Sequence, residues 1–369
     1  MIRQSTVRLA FGLALALIVF VPASAQTYQG ADFCSNCHMD IYNKWKVSGH
    51  PYKLTPAAEA KNRPIPLPEG YTWDDISYVI GGYKWKSRYM GTDGYIITSV
   101  DTDGNGTPDT DGRNQYNMLT GQWSDYHPGE LKPYDCGRCH TTGFSATGNQ
   151  GGLPGIAGTW AFGGVQCEEC HGPGFGPHSD PATHIDNSAA ACGACHIRGD
   201  QNTIPASGGF IRHHEQYNEM LASPHFFMDC TSCHDPHMRA EFSITLTCQD
   251  CHPSIASSYA GTPMDAQGVD CIDCHMPFAT KSAQALGPYR GDVRTHLFRI
   301  NRDADQRMFT ADGGFVLLDG MGQGAVNLDF ACKSCHTDKS TKWALSRSQN
   351  FHSTMGPLRV ERSFARKDE

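Results

Sequence analysis

The chain has 369 residues, 39% hydrophobic and 18% charged, with 39 glycines and 21 prolines. So many turn formers and so little apolar matter exclude a thick aliphatic core, so something besides the protein's own side chains must hold the fold together. The formal net charge of −8 argues against nucleic acid and against an anionic membrane surface as partners.

In chain order, Arg3 and Arg8 precede an apolar run from Leu9 to Val21, which Pro22 closes before Ala23-Ser24-Ala25. That pattern over residues 1–25 predicts a secretory signal peptide cut before Gln26. A run of 13 residues is too short to cross a bilayer. No other apolar stretch reaches spanning length, and no cysteine stands at the cleavage site for a lipid anchor. Cleavage removes two basic residues and no acidic ones, taking the charge to −10. The mature chain, 26–369, is expected in the periplasm or outside the cell. Its 16 cysteines would be unusual in the reducing cytosol.

Asp40 to Ser48 reads as a short helix. Residues 61–135 read as an insertion. Within it, Pro64, Pro66 and Pro68 mark an extended connector. Tyr95 to Val100 is a strand candidate in a small β-hairpin around 90–120. After it, Asp101, Asp103, Asn105 and Asp109, with Gly106 at the turn, match the oxygen spacing of a calcium loop. Gly112 stands where that loop expects a bidentate glutamate, and Asp111 is the substitute on offer. A plain polar hairpin turn is the equal alternative. Gly148 to Gly164 holds seven glycines in 17 residues and reads as a surface loop. Gly313 to Leu318 suggests a second short strand, and Asp338 to His352 a capped helix.

Every cysteine belongs to a Cys-x-x-Cys-His unit. The pairs are Cys34/Cys37, Cys136/Cys139, Cys167/Cys170, Cys192/Cys195, Cys230/Cys233, Cys248/Cys251, Cys271/Cys274 and Cys332/Cys335. The histidines that follow are His38, His140, His171, His196, His234, His252, His275 and His336. Two thiols at this spacing reach both vinyl groups of one porphyrin, and the next imidazole lies under the iron; this is the attachment signature of haem c. A disulfide framework or zinc ribbons would leave a histidine after every pair unexplained. Eight covalent haems are therefore expected. Motif starts are separated by 102, 31, 25, 38, 18, 23 and 61 residues, so no equal repeat underlies them. The region 136–336 must be dense in haem. The expected fold is mainly α with much irregular structure around a haem-packed core, in one domain after the leader. Trp45, Tyr83, Trp85 and Trp160 are expected to pack on porphyrins.

Ten histidines remain as candidates for the other face of each iron: His50, His127, His178, His184, His213, His214, His225, His237, His296 and His352. They are enough for bis-histidine ligation throughout. His50 follows the first motif by roughly three helical turns and is expected to reach a neighbouring haem rather than its own, and of the adjacent His213 and His214 one is expected to ligate. Met39, Met228, Met238 and Met276 are the competing ligands, better suited to packing on porphyrin faces.

Three stretches resemble a known family: Ala31-Asp-Phe-Cys-Ser-Asn-Cys-His with Trp45 and Ser48-Gly-His50, Gly164-Val-Gln-Cys-Glu-Glu-Cys-His-Gly-Pro-Gly174, and Cys230-Thr-Ser-Cys-His-Asp-Pro-His237. They are similar to the multihaem cytochromes c that include tetrahaem cytochrome c-554, whose octahaem relatives reduce tetrathionate or nitrite or oxidise hydroxylamine. The resemblance implies haems stacked in parallel and perpendicular pairs, with His50 and His178 as distal ligands. No motif replaces histidine with lysine, and only 33 residues follow His336; both depart from the octahaem enzymes.

An electron-transfer role, respiratory or extracellular, with redox proteins or extracellular acceptors as partners, is the leading expectation, ahead of an enzyme. Two alternatives stay open. One is an octahaem oxidoreductase for nitrite, hydroxylamine or tetrathionate. The other is a homo-oligomeric filament subunit.

Overall fold

The computed structural model describes residues 27–174, 185–349 and 351–352. The expected leader at 1–25, together with His178 and His184, lies outside them. Among the described residues no helix is long and apolar enough to cross a membrane.

The motif helices are short: Gly137–His140, Cys167–His171, Ala189–Gly193, Cys248–Cys251 and Cys271–His275. Their local cause is partly in the motifs themselves. In Thr247-Cys-Gln-Asp250 and Asp270-Cys-Ile-Asp273 the residue before the first cysteine and the second variable position close a capping box, which satisfies two of the helix's orphan backbone donors. In five motifs the histidine N–H donates to the first cysteine's carbonyl, at 2.8–3.0 Å. Helices of one turn are not stable alone, so they depend on what their side chains anchor. Met39–Lys46 forms the helix expected over 40–48. Thr341–Ser348 forms the one expected near the C-terminus, with Ser340 Oγ accepting from Trp343 N at 3.1 Å.

The insertion is larger than a hairpin. Strands β1 (Leu54–Pro56), β2 (Ile76–Gly81), β3 (Lys86–Gly91), β4 (Ser99–Val100), β5 (Thr110–Asp111), β6 (Gln115–Asn117) and β7 (Gln122–Ser124) follow in chain order. Five of them make an antiparallel sheet in the order β1-β2-β3-β6-β7, while β4 and β5 pair separately. Gly81 and Gly82 turn β2 into β3 at φ 73° and 72°, a conformation glycine adopts without strain. A side chain at Gly82 would also stand 2.8 Å from Ile65 Cδ1.

The sheet is buried on both faces. Register aligns Val79 with Tyr89, and these pack with Ala57, Ala60, Ile65, Ile76 and Ile97. On the other face Leu54, Ile80 and Met90 pack with Ile96, Tyr134, Ile156 and Trp160, against which Tyr126 and Cys136 also lie. A third cluster around Ile204, Ile211, Leu297, Val326 and Phe330 organises the C-terminal part.

Several expected elements differ. The strand over 95–100 shrinks to Ser99–Val100, because Ile96 bridges Met90 on one side and Lys132 on the other instead of continuing a ladder. The glycine-rich stretch turns inward: Ile156 is fully buried, and Gly155 lets the backbones touch, since a Cβ there would lie 2.1 Å from Tyr95 N. Phe315 and Val316 make only isolated bridges, to Pro205 and Phe309. Trp160 packs edge-on against Tyr78 and Tyr134, Trp45 Nε1 donates to Val165 O, and Tyr83 stacks on Tyr52. Trp85 Nε1 is buried without a hydrogen-bond partner.

Candidate haem and metal centres

All sixteen cysteines are free of disulfides, and the motifs pack against one another in a definite order. The helix Ala31–Cys34 lies on Cys167–His171, which brings Cys34 near Cys167. Cys139 meets Cys195, with its Sγ 3.8 Å from Ala194 O. Ala189–Gly193 packs on Cys230–Ser232, which brings Cys192 near Cys230. Cys233 lies within electrostatic range of Cys248 and Cys251, Cys248 lies near Cys271, and Cys271–His275 packs on Asp329–Lys333 of the last motif. Cys170 adjoins Cys192. The motifs thus run 1-3-4-5-6-7-8, with motif 2 beside motif 4.

The cysteines are not equally covered. Cys37, Cys170, Cys251 and Cys335 are exposed, and the other twelve are half-buried. The Cys37 backbone N–H donates to Cys34 O at 3.2 Å, which sets the turn of the first motif.

Two imidazoles bound on opposite sides of one metal ion, each nitrogen roughly 2 Å from it, hold their ring centres on the order of 6 Å apart. Five pairs in the structure have that span. His50 faces His196 at 6.4 Å and His171 faces His237 at 6.2 Å. His225 faces His252 at 6.0 Å, His234 faces His296 at 6.2 Å, and His275 faces His352 at 6.1 Å. Each pair joins one motif histidine to one outside the motifs. Several of these rings are tethered through Nδ1, which leaves Nε2 for a metal. His196 bonds Gln216 at 3.2 Å, His234 bonds Ser243 at 2.8 Å, His237 bonds Asp235 at 2.9 Å, and His275 donates to Phe298 O at 2.8 Å. Nδ1 of His225, His296 and His352 is buried without such a partner. Burial holds His50 neutral, its proton affinity pushed down to about 3, with His196 adding to the effect. A neutral imidazole is the form that binds metal. The donor sets therefore fit covalent haem.

His38, His140 and His336 face no imidazole at this spacing among the described residues. His336 instead meets Trp343, ring centres 4.8 Å apart. His127 is at the surface, its Nδ1 on Glu130 Oε2 at 2.7 Å and its ring against Tyr126. His213 and His214 lie against each other at 4.3 Å, and the backbone of His214 has φ 149°, a strained value for a residue with a Cβ.

The surroundings of His140 are unlike those of the pairs. Its Nδ1 is buried and unpartnered, and burial, followed by the charges of Lys53 and Arg88, pushes its proton affinity down to about 3. Burial, with neighbouring positive groups, takes His213 to about 3 and His214 to about 2. Arg88 reaches this region because it is aligned with Ile80, itself opposite Leu54, on the sheet face that packs Cys136. Its guanidinium lies 3.7 Å over Tyr126 and bonds Gln115 at 2.7 Å. Lys53 is desolvated, and only Cys195 offsets that burial. No carboxylate acts on either cation, whereas Arg198 nearby is paired with Glu215 at 2.6 Å. Sequence reading missed Lys53 and Arg88, since neither belongs to any motif.

Two buried glutamates were also not foreseen. Glu168, between the cysteines of the third motif, accepts from the N–H groups of Gln29, Gly30 and Gly174. Glu219 accepts from Thr295 Oγ1 at 2.5 Å and from the backbone N–H of His296.

In the expected calcium loop, carboxylate oxygens of Asp101, Asp103 and Asp109 lie within 4.8 Å of one another, between β4 and β5. Asp101 accepts from Gly104 N and Gly106 N, and Asp109 from Thr102. Asn105 bonds Asp103, and Asp111 turns away to Ser99.

The family model for cytochrome c554 and c-prime matches residues 110–172, which contain the second and third motifs. Among solved structures, the chain is similar to the octahaem sulfite reductase MccA, form II, of Wolinella succinogenes, with a TM-score of 0.63 and 18% identity over 84% of this chain. It spans 65% of that protein's length. It is also similar to the outer cell wall cytochrome OcwA, with a TM-score of 0.55 and 18% identity, covering 86% of each chain. No curated protein sequence matches it. The fold, together with the Cys-x-x-Cys-His units, is that of a multihaem c-type cytochrome. Within that class, the part that the family model recognises is the cytochrome c554-like segment around the second and third motifs.

Proposed function

We propose that this protein carries electrons outside the cytoplasm through eight c-haems, one on each Cys-x-x-Cys-His unit, between redox partners or to an extracellular acceptor. In this reading His50, His237, His296, His225 and His352 are the distal ligands for the irons held by His196, His171, His234, His252 and His275. Each bound haem supplies a one-electron iron couple, which bis-histidine ligation keeps low in potential. The observation that carries the reading is the set of five imidazole pairs at 6.0–6.4 Å. The neighbouring motifs support a route for electrons from the eighth to the first, with the second as a branch beside the fourth. The test is mass spectrometry of protein from its native host with paramagnetic resonance of the same sample. Eight thioether-bound haems with at least five low-spin irons are expected; free thiols would overturn the proposal.

A second reading is favoured by His140. With no imidazole facing it among the described residues, and with Lys53 and Arg88 gathered beside it, that branch suits delivery of electrons to a small nitrogen or sulfur oxyanion. The fold neighbour MccA is a sulfite reductase, so sulfite joins nitrite and tetrathionate as substrates to try. A stoichiometric high-spin haem with steady turnover of one of them supports this reading. Its absence, with no turnover, leaves the carrier alone.

A further inference from the structure

Between three of the paired sites lies one residue that belongs to no motif. Phe298 has φ 58°, a left-handed backbone conformation that a bulky residue adopts only when its surroundings impose it. The surroundings are identifiable. Glu219 holds the preceding Thr295 and His296, and Leu297 is fully buried, so the chain is fixed up to Phe298 and must turn there. The turn aims its two ends at different partners. The ring stands edge-on to His225 at 4.6 Å and 76°, and to His296 at 6.1 Å and 86°. The carbonyl accepts from His275 Nδ1 at 2.8 Å.

His225, His296 and His275 belong to three different imidazole pairs, those of the sixth, fifth and seventh motifs, which are consecutive in the packing order. Nδ1 of both His225 and His296 is buried without a hydrogen-bond partner. No polar tether sets the planes of these two rings, and the Phe298 ring is in contact with both. His275 has the reverse arrangement, a polar tether through the Phe298 backbone. Such a bond fixes the tautomer and raises the basicity of a ligating imidazole.

We propose that Phe298 is a positioning residue shared by three neighbouring haem sites, its ring setting the planes of His225 and His296 and its carbonyl setting His275. The proposal rests on the distal-ligand assignment above. Its consequence is electronic. The angle between two axial imidazole planes controls the splitting of the iron d orbitals, so crossed planes, such as the 73° of His225 and His252, give a highly anisotropic low-spin resonance, and parallel planes a rhombic one.

The test separates ring from carbonyl in the full-length holoprotein. Phe298→Gly accepts the same φ without strain, keeps the carbonyl and removes the ring; Phe298→Leu keeps bulk at the same place. In frozen-solution paramagnetic resonance, F298G is expected to move the resonances of the fifth and sixth sites, the crossed one toward rhombic. The seventh site stays unchanged, and F298L lies close to the wild type. The seventh site is identified by loss of its low-spin signal in His352→Ala. Unchanged spectra in F298G, or equal shifts at every site, overturn the proposal while the ligand assignment stands. A wild-type protein without bis-imidazole resonances overturns the assignment and the proposal together.

Discussion

His50 and His196 stand opposite each other, ring centres 6.4 Å apart and planes crossed at 77°, although the whole sheet and two other motifs lie between them in the chain. Backbone fixes His50 in place: Val165 N donates to His50 O and Gly164 N donates to His140 O, so the segment after Ser48 is stitched to the entry of the third motif. His50→Ala is therefore expected to remove a distal ligand without disturbing the chain around it. Paramagnetic resonance of the variant should lose one low-spin iron per molecule and gain one high-spin iron. His127→Ala, at the surface on Glu130, should leave the spectrum as it was.

Glu168 carries a structural load that its place inside a motif conceals. Its two oxygens serve three backbone donors, from Gln29, Gly30 and Gly174, and tie the N-terminal segment to the third motif. Glu168→Ala leaves those donors without their acceptor. At roughly 1–3 kcal/mol for each buried donor left unsatisfied, and with water reaching some of them, a loss on the order of 2–4 kcal/mol is expected in denaturant unfolding. Haem content stays the same. Glu168→Gln, which keeps an acceptor oxygen, should recover part of it.

The parts of the molecule visible in the sequence are those where chemistry fixes spacing. Thioether attachment demands Cys-x-x-Cys-His at one local distance, so Cys34 and Cys335 are equally legible. Distal partners carry no such spacing rule: His237 comes from just after the fifth motif yet faces His171 of the third, and only the packed chain reveals that. The sheet was hidden for another reason. Ile76 to Gly91 is buried on both faces, with Val79 and Tyr89 in one cluster and Ile80 and Met90 in the other, so the alternation that marks a half-exposed strand is missing. The hairpin of β4 and β5 was legible because its loop is polar and its turn residues are glycine and aspartate.

That loop gives a third expected outcome. Carboxylate oxygens of Asp101, Asp103 and Asp109 already lie within 4.8 Å of one another, and Gly104 and Gly106 have φ 73° and 86°, as a tight ligand loop requires. Chelation is expected to lower the melting temperature, and added calcium to restore it. Asp101→Ala should abolish that response. A melt indifferent to chelator removes the ion and leaves the loop as a hydrogen-bonded turn.

The two cations beside His140 distinguish a charged substrate from a neutral one. Desolvated charges without a counter-ion cost several kcal/mol, and neither Lys53 nor Arg88 has a carboxylate acting on it. An anion in that space relieves both. Lys53→Met and Arg88→Met keep the apolar stems and remove the charges. If the space binds oxyanions, each variant should weaken nitrite or sulfite binding about tenfold, the equivalent of roughly 1.4 kcal/mol for one lost charge contact. Binding is followed by optical titration of the oxidised protein. Hydroxylamine, mostly uncharged near neutral pH, should bind both variants and the wild type alike. If anion affinity is the same in all three proteins, the cations serve haem propionates instead, and the branch at His140 has no substrate site built by this chain.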